Sequence, residues 1–179
     1  VVDGLQAGSR DRMTIIGSGF ADYIGRTFYA GVSPVLGQQH LNVESTSLSA
    51  WATVLDPDGT LDEDLGIVYG EVRDASGDPI PGAIVTITPE GGNVFYFDGA
   101  GEPSLLLTET SATGRYIILD VPPGNVAVNA AFLPAGPRAE PLGGGGGGVG
   151  TLLGRAYGRV AASQVTGMLL DPVEAISGA

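Results

Sequence analysis

Between Gly66 and Ala130 hydrophobic and polar residues alternate in short runs, and each run ends at glycine, proline or aspartate. Val68 and Val72 fall on one side of a first run, and Ala83, Val85 and Ile87 on one side of a second. Farther on, Tyr116 and Ile118 alternate with Ile117 and Leu119. Val126 and Val128 follow the break at Pro122-Pro123-Gly124. A period of two predicts half-buried β-strands. The breakers SGDP, ATG and VPPG fall where hairpin loops belong. In Phe95-Tyr96-Phe97 the same rule sends both phenylalanines to one side, into a core, and Tyr96 to the other.

The flanks are less regular. Residues 1–55 form a β-rich N-terminal block, read as four short strands around Met13–Ile16, Thr27–Val32, Leu41–Val43 and Ala50–Leu55. So small a block is not expected to stand alone, and should pack on the next module or on a neighbouring subunit. Residues 56–65 (DPDGTLDEDL) are an acidic turn. Residues 133–150 are a Pro- then Gly-rich linker whose six consecutive glycines predict a flexible coil. The rest, 151–179, is expected to be an extended C-terminal arm. Gly154 and Gly158 argue against a helix at its start. Gly167-Met168-Leu169-Leu170-Asp171 echoes Gly70-Glu71-Val72-Arg73-Asp74. The echo is either chance among Gly-rich β sequences or a strand without a module of its own, available to complete another subunit's sheet.

The order of strands and turns in 66–132 resembles the carboxypeptidase regulatory-like, or transthyretin-like, β-sandwich family. The residues that carry the likeness are a first strand closing on Asp74, the turn Gly77-Asp78-Pro79, Pro81-Gly82-Ala83, Gly114-Arg115-Tyr116 and Val121-Pro122-Pro123-Gly124. Many members have Thr-Asp-x-x-Gly before the aromatic residue. Here the segment is Thr110-Ser111-Ala112-Thr113-Gly114, so no ion-binding role is carried over to it. The resemblance implies an all-β chain: a transthyretin-like sandwich, with the N-terminal block before it and the arm after it. It also implies an appendage that stabilises, spaces or presents something else, and it supplies no reaction.

Composition narrows the chemistry. Cysteine is absent, so disulfides and thiolate sites are too. Lysine is also absent, which removes Schiff-base and P-loop chemistry; the eight basic residues are all arginine, and they are scattered. One histidine, His40, makes no metal cluster, and no G-x-S-x-G elbow supplies it with a nucleophile. A net charge of −12 disfavours nucleic acid and anionic membranes. No apolar run is long enough to span a bilayer. The opening residues show no leader pattern, which fits a mature, processed secreted chain and a cytoplasmic one alike; the resemblance, the acidity and the turn-rich β character favour the cell surface or the outside of the cell.

The acidic turn holds the candidate ligands. Asp56, Asp58 and Asp62 offer hard oxygen donors suited to calcium, with Gly59 allowing a bend, although the spacing is not that of an EF-hand. A solvated acidic linker is the simpler reading. The expected function is a non-catalytic, secreted structural subunit of a cell-surface assembly. In it, self-association through the terminal β segments builds a filament by strand exchange. The alternative is a carbohydrate- or protein-binding accessory module of a larger secreted enzyme or adhesin.

Overall fold

Two-residue periodicity needs two surfaces to bury against, and here both exist. The computed structural model describes residues 10–15, 23–29, 45–56, 61–132 and 151–171. In chain order these form β1 (Arg10–Ile15), β2 (Tyr23–Tyr29), α1 (Ser45–Leu55), β3 (Gly66–Val72), β4 (Ile84–Thr88) and β5 (Asn93–Phe97). There follow β6 (Pro103–Ser104), β7 (Arg115–Val121), β8 (Gly124–Phe132), β9 (Thr151–Val160) and β10 (Val165–Leu170). The strands make a sandwich of two sheets. The larger has seven strands in the order β1-β2-β10-β3-β7-β5-β6, and the smaller has three in the order β4-β8-β9.

Val68, Val72, Ala83, Val85, Ile87, Tyr116, Ile118, Val126 and Val128 meet between the sheets, on the faces that the alternation assigns to them. Their alternates were expected to face water; those on β4 and β8 do, and those on β3 and β7 do not. Ile67, Tyr69, Ile117 and Leu119 pack with Phe97 beneath α1, so β3 and β7 are covered on both faces. Phe95 lies on this side too, and Tyr96 lies between the sheets, as their alternation requires.

Helix α1 corrects the reading of Ala50–Leu55 as a strand. Leu48, Trp51, Ala52 and Leu55 recur at i, i+3, i+4 and i+7, the spacing of one helical face, and that face is the one turned to the sheet. Trp51 stacks on Tyr69 at a centroid distance of 5.6 Å and meets Phe97 edge-on at 4.8 Å. The expected strand at Leu41–Val43 and the loop residue His40 lie outside the described residues.

The C-terminal residues correct a second expectation. Instead of an arm reaching toward another subunit, Thr151–Leu170 supply one strand to each sheet of the same chain. β9 runs antiparallel to β8, and β10 lies parallel to β3 in the middle of the large sheet, with Val165 opposite Ile67 and Leu170 opposite Val72. The two strands that echo one another in sequence are thus neighbours. Gly154 and Gly158 let β9 approach β10 closely, since a Cβ at Gly154 would stand 2.7 Å from the Asp171 carbonyl oxygen. The crossing is tied down where Ser163 N–H donates to Leu65 O and Ile67 N–H to Gln164 O. The linker 133–150 and residues 172–179 lie outside the described residues.

Polar groups lock this packing. The Tyr116 hydroxyl crosses over Gly70 and donates to Met168 O at 2.9 Å. Tyr96 Oη accepts from Val85 N at 2.9 Å, and Thr110 Oγ1 accepts from Ala83 N at 2.8 Å while donating to Ile80 O. The last two cover N–H groups on the outer edge of β4, which blunts that edge against strand addition.

Candidate functional site

The acidic turn, residues 56–65, is described at Asp56 and at 61–65. Asp58 lies outside the described residues. Asp56 follows the last turn of α1, its N–H donating to Ala52 O. One Asp62 carboxylate oxygen accepts from Asp64 N at 2.9 Å, so Asp62 shapes its own turn. Among the described residues no three His, Asp or Glu side chains gather as a metal site would require.

That turn lines a cavity of about 330 Å³ with Leu48, Ile67, Asp120 and Val165. Its polar walls are engaged in holding loops. Asp120 takes Asn93 Nδ2 at 3.0 Å, and Ser163 Oγ donates to Glu63 O at 2.7 Å. At the opposite end of β3, Arg73 grips Glu71 through Nε and Nη2 at 3.0 and 3.1 Å. This bond, more than the field of Asp171, raises the Arg73 pKa. The pair fastens the end of β3.

The outer face of the small sheet differs, because its side chains are free to meet something. Registry sets them in rows across β4, β8 and β9: Thr88, Ala127, Tyr157; Thr86, Asn129, Arg155; Ile84, Ala131, Leu152; and Asn125 beside Arg159. The middle strand carries short residues, so the face is a shallow floor bounded by threonines on one side and by Arg155, Tyr157 and Arg159 on the other. Tyr157 is 66% exposed. Arg155 Nε donates to Asn129 Oδ1 and its Nη1 to the Tyr157 hydroxyl at 3.3 Å, which fixes the guanidinium before any partner arrives. Neither Asp nor Glu occurs on any of the three strands, in a chain with twenty such residues. The sequence reading counted Arg155 and Arg159 as scattered. The available signal was Arg-x-Tyr-x-Arg, which in a strand puts three side chains on one face.

The turns between the strands share one local design. Asp74 Oδ1 accepts from Ser76 N and Asp78 N at 2.8 and 2.9 Å, with Gly77 at φ 88°. Asp98 repeats the arrangement with Ala100 N, Glu102 N and Gly101 at φ 86°. At the third turn Ser111 Oγ accepts from Thr113 N at 3.2 Å, the local bond an aspartate there would make, and Gly114 takes φ 64°. Residues 67–142 match the family model for this architecture. The chain carries a carboxypeptidase regulatory-like domain. No curated protein matches the sequence. The domain match begins in β3 and ends before β9, yet β9 and β10 complete both sheets of the sandwich. No helix among the described residues is long and apolar enough to cross a membrane.

Proposed function

We propose that this chain is a non-catalytic accessory module of an extracellular or cell-surface protein, working through the outer face of its three-stranded sheet. The observation that carries the reading is that face: exposed arginine, tyrosine, threonine and asparagine side chains on a rigid floor, clear of acids. Elsewhere the described buried polar side chains are committed to structure. Thr110 and Thr166 hold backbone groups, and Glu71 holds Arg73. A module of this kind should sediment as a folded monomer and should turn over no ester, glycoside or peptide substrate. Hydrolysis that follows the purified chain would overturn the reading.

The structural-subunit reading keeps one specific support. Among the described residues the β1–β2 hairpin pairs with the rest of its sheet at two positions, Val165 with Tyr23 and Thr166 with Ile24. A hairpin held so lightly is suited to exchange with a second copy, which would give strand-swapped polymers. Sedimentation velocity separates the two readings, since large species that vanish when residues 1–29 are removed would favour assembly.

A further inference from the structure

Resting on the accessory-module reading, we infer that the outer face of the small sheet binds an acidic polysaccharide, a chain of sugars bearing carboxylates. The argument begins with charge. The molecule carries −12 overall, so an anionic partner is repelled by most of its surface. On this face the sign reverses locally, because β4, β8 and β9 hold Arg155 and Arg159 and no acid. The two arginines stand four residues apart on one strand, about 14 Å at the rise of an extended chain. That span exceeds the screening length of about 8 Å at physiological salt, so each guanidinium acts on a carboxylate it touches rather than through a shared field. Guanidinium groups grip carboxylates in planar, paired fashion.

Shape points from anion to sugar. Between the arginines stands Tyr157, two-thirds exposed, an amphipathic ring with its hydroxyl already engaged by Arg155. The C–H face of a pyranose stacks on such a ring. Asn125, Thr86 and Thr88 supply donors and acceptors for ring hydroxyls, and Ala127 and Ala131 leave room for the polymer above β8. An acidic peptide would be expected to add to a strand edge, where backbone groups give it affinity. This site is a sheet face, which offers side chains alone.

Affinity electrophoresis of the full chain through gels containing polygalacturonate tests the proposal, with the fully methyl-esterified polymer and poly-glutamate as the other arms. Retardation by polygalacturonate alone, weakening with added salt, is expected. Tyr157→Ala and Arg155→Ala should each weaken binding at least tenfold, Tyr157→Phe should retain most of it, and Val54→Ser on α1 should change nothing. Because Tyr157 and Arg155 are exposed, an unchanged melting curve will show that the variants are folded. The proposal is overturned by no retardation, by equal retardation in the esterified gel, or by equal retardation with poly-glutamate that Tyr157→Ala leaves intact. A folded, inactive monomer that binds none of the polymers would sink this inference while leaving the module reading in place.

Discussion

Single atoms decide much of this fold. A Cβ on Gly70 would strike both Met168 O and the Tyr116 hydroxyl, and the first of these is backbone that cannot swing aside. Gly70→Ala should therefore cost about 2–4 kcal/mol, more than ordinary overpacking, because a buried hydrogen bond is lost with the space. Chemical denaturation would measure it, and a cost under about 1 kcal/mol would mean that β3 and β10 are not neighbours. The tyrosines give a pH signature. Burial, above all, raises the pKa of both Tyr69 and Tyr96. A raised folded value means the stabilisation is complete below the unfolded value, about 10. It is then lost as pH climbs toward the folded values, since the unfolded chain releases its protons first. The melting temperature should hold steady to about pH 9.5 and fall beyond it. Tyr96→Phe should lower stability at neutral pH by about 1–3 kcal/mol, leaving Val85 N–H without its acceptor. The same variant should flatten the alkaline decline, and an unchanged alkaline slope would refute the assignment.

At the scale of elements, the sequence was legible where a single rule acted. Alternation in β3, β4, β7 and β8 named the inter-sheet residues correctly, since each strand has one face there whatever covers the other. It missed the second covering layer, because alternation along a strand is silent on which distant segment lies over it. Helix α1 was misread because Ala50-Trp51-Ala52-Thr53-Val54-Leu55 was taken alone, and the helical recurrence of Leu48, Trp51, Ala52 and Leu55 shows only when Leu48 is included. The outer face of the small sheet was illegible for a related reason. Arg155, Tyr157 and Arg159 become one surface with Thr86, Thr88 and Asn125 only through pairings of β8 with partners on either side in space. The importance of α1 can be checked at its anchor. Trp51→Ala should remove the ring that bridges Tyr69 and Phe97 and cost about 2–3 kcal/mol, less than a fully buried tryptophan would. Far-ultraviolet circular dichroism during urea unfolding should show a lower midpoint with the sandwich intact. An unchanged midpoint would detach the helix from the sheet.

For the whole molecule, the decisive question is what the C-terminal strands do. Had Thr151–Ala179 been an arm for a neighbour, a chain cut after Leu142 would remain a soluble, folded monomer that fails to assemble. The topology predicts the opposite. Removing β10 takes the strand that separates β2 from β3, leaving β3 with an exposed edge and the N-terminal hairpin without its anchor. Removing β9 strips β8 of one of its two antiparallel partners and opens the core at Ala156 and Val160, both almost wholly buried. Such a loss of paired backbone and apolar burial far exceeds the few kcal/mol by which a domain of this size is usually stable. The truncated chain should express as insoluble or unfolded material, with no cooperative melt. The matched domain, residues 67–142, should likewise fail alone and recover when a separate peptide spanning 151–171 is supplied in trans. A truncated chain that stays soluble and melts cooperatively would return the C-terminal strands to a partner and reopen the assembly reading.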